Sequence, residues 1–176
     1  MSIEPVYKRF PKVPIGRRAA AFLIDFAGVW LVSSFISSLL FRGVVFILLW
    51  LGLRVALVSS NQGQSLGHWA LDIKVLDARS AKIPGLLTLA KREGILGLGA
   101  LLAMIGLSVA LANPISFFLL VAPLAIDCGM ALAHPEAQQA FHDRVAKTIL
   151  IQTRRGYSLD LRLKRLFAQV RRRVQR

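Results

Sequence analysis

Acidic residues are scarce in this chain of 176 residues, in which nine Asp and Glu stand against 23 Lys and Arg. The formal net charge is +14. Cysteine is scarcer still, and Cys128 alone excludes an internal disulfide framework. Its place inside an apolar run reads as packing. Charge of either sign is missing over two long stretches, 19–58 and 94–133, where only Asp25, Arg42, Arg54 and Asp127 break the run. The basic residues therefore alternate in blocks with nearly uncharged segments. That pattern excludes a basic patch on a soluble nucleic-acid binder and fits a multi-pass membrane protein. Catalytic signatures are also missing. There is no H-E-x-x-H, G-x-S-x-G or phosphate-loop pattern, and His134, Glu136, His142 and Asp143 lack a metal-ligand spacing. The expectation is a protein that is not an enzyme, with no cofactor and no metal.

What is present is apolar surface: 55% of residues are hydrophobic and the mean hydropathy is +0.57. Crossing about 30 Å of hydrocarbon takes roughly 20 helical residues. Four segments qualify, at about 19–41, 43–60, 94–112 and 115–133. The first is too long for a signal peptide and ends without a small-residue cleavage site. The expected fold is an all-α membrane protein, a four-transmembrane-helix bundle with a tight turn near Arg42 and Gly43. Pro123 should kink the last helix one turn before Asp127. An even number of spans puts the basic blocks 1–18, 59–93 and 134–176 on one side, so both termini are expected to be cytoplasmic.

The cytoplasmic segments carry structure of their own. "ALDIKVLD" alternates as a half-buried strand does, and so does "KTILIQT". Strands near 70–77 and 147–153 are expected to pair as a small antiparallel element at the membrane surface. "SAKIPGLLTLAKRE" reads as a short interfacial helix opened by Pro84, with Leu86, Leu87, Leu89 and Ala90 toward lipid. Residues 1–153 then form the membrane domain and 154–176 a basic amphipathic tail. In that tail Arg162, Lys164, Arg165, Arg171, Arg172 and Arg173 oppose an apolar stripe, an arrangement suited to anionic lipid headgroups.

Counting at about 1.5 Å per residue from the cytoplasmic helix ends places Asp25 about 10 Å deep, Asp127 about 9 Å and Arg54 about 6–8 Å. The three are expected to share one layer and form an intramembrane triad, with Arg54 the natural partner of Asp25. Such groups either handle an ion or fix helix pairing. In the first case a proton exchanges for a cation on Asp25 and Asp127, and a chain this small works as a homo-oligomer. In the second it is an accessory or assembly subunit of a larger membrane complex, held by polar pairs and by small residues such as Gly99 and Ala103.

Three motifs, "RRAAAFLID", "GQSLGHWALDIKVLD" and "QAFHDRVAKTILI", occur in an order that resembles the RDD family of bacterial membrane proteins. The resemblance runs from about Pro14 to Ile151. It maps the family's Arg to Arg18 rather than Arg17, its first Asp to Asp25 and its second to Asp143. His68 stands where that family usually has Lys or Arg. The resemblance implies a multi-pass protein of the cytoplasmic membrane with a loosely defined role in transport, including cation/proton exchange. Gly63, Gln64 and Gly67 form its surface loop motif, read either as a tight turn or as a ligand loop. Arg18 is expected to meet Asp143, near Lys91 and Arg92, in a surface charge cluster.

Overall fold

The computed structural model describes residues 11–133 and 138–153. Four long helices run up and down, and a small sheet closes one end. Helix α1 is Ile15–Ser33, and α2 starts at Leu39 and continues to Ser60 through a π-helical turn at Gly52–Ala56. The short α3 (Leu66–Ala70) leads into β1 (Ile73–Asp77). Then come α4 (Leu86–Val109), α5 (Pro114–Ala133), the short α6 (Phe141–Val145) and β2 (Thr148–Gln152). The two strands pair antiparallel, with Ile73 opposite Gln152 and Asp77 opposite Thr148, and Lys12 adds a bridge to Ile151.

Two expected boundaries are corrected. The first hairpin turns at 34–38, not at Arg42 and Gly43, so Leu39, Leu40 and Phe41 belong to α2. Serine hydroxyls bring about that break. Ser33 and Ser34 bond back to the carbonyls of Trp30 and Leu31, in competition with the helix ladder. Arg42 lies beyond the turn, and its Nε donates to the Ile36 carbonyl at 3.0 Å. The expected interfacial helix is the first part of α4, which runs unbroken for 24 residues. Leu89 is consequently buried rather than lipid-facing, while Leu86 and Leu87 remain exposed.

Three helices, Leu39–Ser60, Leu86–Val109 and Pro114–Ala133, are long and apolar enough to cross a membrane. Helix α1 has 19 residues but carries Arg17, Arg18 and Asp25. The bundle core is a stack of rings, Phe22 on Phe26, Phe26 against Phe46 and Phe46 on Trp50, closed by Leu96, Ala100 and Met104 of α4. Gly97 makes room for this stack, since a Cβ there would lie 2.7 Å from the Trp50 ring. Gly99 and Gly106 face Leu124 and Leu120 and let α5 pack closely on α4. Leu23, Leu40, Leu48, Phe118 and Ile126 point outward, as lipid-facing side chains do. The basic tail, with Arg162, Lys164, Arg165, Arg171, Arg172 and Arg173, lies outside the described residues.

Candidate functional site

At the sheet end of the bundle, six charged side chains from α1, α2, α4 and α6 join in one buried chain. Asp25 on α1 accepts from Arg54 Nη1 at 2.6 Å, and Arg54 Nε reaches Glu93 Oε2 at 2.7 Å. Glu93 also takes Arg92 Nη1, and Arg92 Nε donates to Asp143 at 2.9 Å. Asp143 in turn receives Arg18, whose other Nη donates to the Gln138 carbonyl. Three guanidiniums thus balance three carboxylates. Burying any one of these charges alone would cost several kcal/mol, so complete pairing is what makes the chain tolerable in low dielectric.

Local structure aims each group. The π-helical turn at Gly52–Ala56 adds a residue to one turn of α2, and Arg54 points from it into the bundle over the Trp50 ring at 5.1 Å. The loop "GQSLG" works as a latch. Gly63 holds φ +82° and pairs with Val75 of β1, while Gln64 Nε2 donates to the Ile73 carbonyl at 2.7 Å. Ser65 caps α3 and donates its hydroxyl to Asp25 at 2.6 Å, and the Gly67 amide reaches the other Asp25 oxygen at 2.7 Å. A Cβ on Gly67 would strike the Ala21 carbonyl, so only glycine brings α3 this close to α1. Gly63 and Gly67 are therefore spent on turn and helix contacts and Gln64 Nε2 on the sheet, while the buried Gln64 Oε1 has no hydrogen-bond partner.

Asp127 does not join Asp25 and Arg54, so the expected triad divides. The Asp127 carboxylate holds His142 of α6 by two contacts, the backbone amide at 2.8 Å and Nδ1 at 2.5 Å. His142 Nε2 lies 3.5 Å from Asp143, which connects this pair to the six-membered chain. Glu93 takes the place expected of Asp127. It was hidden because "LAKRE" reads as surface; the available signal was the lack of any helix breaker between Leu86 and Gly94. His142 reads from the sequence as a brace for β2, and its partner fifteen residues upstream leaves no spacing signal.

Beside these charges, α1 and α5 stand apart, since α5 packs on α4 and makes no extended contact with α1. The gap is a cleft of about 290 Å³. Its walls are apolar, with Ala19, Phe22 and Leu23 on one side and Val121, Leu124 and Cys128 on the other. Arg18 and the almost fully buried Arg54, Arg92, His68 and His142 also border it, whereas Asp25, Glu93 and Asp143 do not. His68 is 2% exposed, and its Nδ1 has no hydrogen-bond partner. Burial first, then the guanidiniums of Arg54 and Arg92, hold its imidazole well below the usual range, so it is neutral. Burial also works to raise Asp143, but His142, Arg92 and Arg18 together outweigh it and hold the carboxyl well below the usual range. Among the described residues, no group of three or more His, Cys, Asp or Glu is placed to hold a metal ion.

A bundle of apolar helices around a buried, balanced charge chain defines a helical membrane-type protein. The RDD family model matches residues 12–147, three quarters of the chain, and the protein belongs to that family. No curated protein and no solved structure matches it.

Proposed function

We propose that this protein is a multi-pass, non-enzymatic membrane protein of transport-related function. In this reading the Asp127–His142 pair exchanges a proton while a solute occupies the cleft between α1 and α5. The observation that carries it is the cleft itself, which leads along apolar walls to two imidazoles and three guanidiniums. His142 Nδ1 lies 2.5 Å from the Asp127 carboxylate, a contact short enough for a proton to pass between the two. Asp25 drops out of the exchange role expected for it, because Arg54, Ser65 and Gly67 occupy both of its oxygens. A cation would find only Asp127, whereas an anion would meet the guanidinium groups.

Helix α1 is taken as the fourth span, with both termini and the sheet on the cytoplasmic side of a bacterial inner membrane. The basic blocks flanking the sheet support that orientation. The ring stack of Phe26, Phe46 and Trp50 fills the bundle centre, so a solute would pass at the cleft, completed by a second copy in a homo-oligomer. The second reading is an accessory or assembly subunit of a larger membrane complex. It is favoured by the full pairing of Asp25, Glu93 and Asp143, which suits a fixed scaffold.

Proton flux in proteoliposomes, driven by gradients of alkali cations or of organic anions, separates the readings. Exchange by this protein predicts flux that Asp127→Asn and His142→Gln abolish. No flux under any gradient, together with a stoichiometric foreign subunit in gently solubilised native membranes, would establish the accessory reading instead.

A further inference from the structure

The cleft has two chemical ends. Its walls from α1 and α5 are apolar along Ala19, Phe22, Leu124 and Cys128. From Ile15 to Leu23 the α1 wall runs about 12 Å along the helix axis, on the scale of an alkyl chain rather than a small ion. The polar residues that border the cleft are Arg18, Arg54, Arg92 and two histidines, of which Arg18 is the least buried guanidinium. Arg18 spends two of its five N–H groups on Gln138 and Asp143 among the described residues. The Nδ1 of His68 is buried without a partner, a state that costs free energy until a ligand supplies one. These groups come from α1 and α3. A phosphate monoester has three terminal oxygens to share between the remaining Arg18 N–H groups and His68, where a carboxylate has two.

We infer that the cleft between α1 and α5 binds a single-chain anionic amphiphile, with its alkyl chain between Phe22 and Leu124 and a phosphate head at Arg18 and His68. The inference deepens the transport reading and rests on it, since it names the solute class of the same cleft. Charge complementarity supports this occupant. Asp25, Glu93 and Asp143 do not line the cleft, whereas Arg18 does, and its side chain is the least buried of the three guanidiniums there.

Cys128 supplies the test, because it is the only cysteine in the chain and it lines the cleft. The full chain, purified in a neutral detergent, is treated with N-ethylmaleimide while lauroyl lysophosphatidate is titrated in. Lysophosphatidylcholine of the same chain length and inorganic phosphate serve as the comparison probes. Lysophosphatidate should protect Cys128 at about a tenfold lower concentration than lysophosphatidylcholine, the factor carried by one hydrogen bond to a charged group. Inorganic phosphate should not protect. His68→Leu should erase the tenfold preference and leave chain-dependent protection in place.

Equal protection by the two lipids would overturn the anionic head, and protection by inorganic phosphate alone would overturn the amphiphile. Absence of protection overturns both. Protection without proton flux under any gradient would leave this assignment standing and refute transport. Flux without protection would do the reverse.

Discussion

Removing the Arg54 guanidinium tests the buried charge chain most severely. In Arg54→Met, Asp25 keeps Ser65 and Gly67 but loses the one cation paired with it among the described residues, while Glu93 keeps Arg92. Three carboxylates then face two guanidiniums, all buried. Breaking a buried pair from one side costs about 3–5 kcal/mol, because the abandoned charge has no solvent. Adding Asp25→Asn restores the balance: Arg18 and Arg92 remain against Glu93 and Asp143, and the Asn oxygen can accept from the Gly67 amide while its NH2 donates to the Ser65 hydroxyl. The double variant should therefore recover about 2 kcal/mol or more of the loss, a coupling in the range seen for residues in direct contact. Denaturant unfolding in detergent micelles, followed by tryptophan fluorescence, reads this directly because Arg54 lies over Trp50. A loss below about 1 kcal/mol in Arg54→Met would refute the reasoning, since an unpaired buried carboxylate is not that cheap. Strict additivity of the two substitutions would refute it as well.

Other outcomes follow from the same geometry. Gly67→Ala should destabilise by about 3 kcal/mol, the upper end for overpacking, whereas Gly28→Ala, with open space at its Cβ, should stay within about 1 kcal/mol of wild type in the same unfolding assay. Charge reversal of Arg18 to Asp should lower the yield of folded protein, and adding Asp143→Arg should restore part of it, as read by size-exclusion chromatography. His68 has a lowered folded value, so the unfolded chain takes up a proton that the native state refuses. Stability should fall as pH drops below about 6.5, and His68→Gln should flatten that limb of a pH series of unfolding midpoints. Asp143 is also depressed, so its contribution is present above about pH 4 and is lost as pH falls further, a limb that Asp143→Asn should remove.

Much of this frame was legible as distance along helices. Counting residues from the helix ends put Asp25 and Arg54 at one depth, and the structure joins them at 2.6 Å. The alternation in "DIKVLD" and "TILIQ" corresponds to the observed antiparallel pair. The break at 34–38 was not legible, because serine stops a helix through side-chain bonds that compete with the backbone, without the fixed signature of Gly or Pro. Glu93 escaped notice because adjacent opposite charges at a segment edge look solvated. Only tertiary packing shows that Arg92 and Glu93 turn inward along α4. The π-helical turn that orients Arg54 has no sequence signal at all.

In the proposed function the buried charges divide into a fixed frame, centred on Asp25 and Arg54, and a pair proposed to exchange a proton, Asp127 and His142. Proton flux in proteoliposomes, compared between the folded Asp25→Asn/Arg54→Met variant and Asp127→Asn, tests that division most directly. Flux should persist in the first, reduced at most by the loss of one cleft-lining guanidinium, and fall to background in the second. Background in the first with full flux in the second would contradict that division.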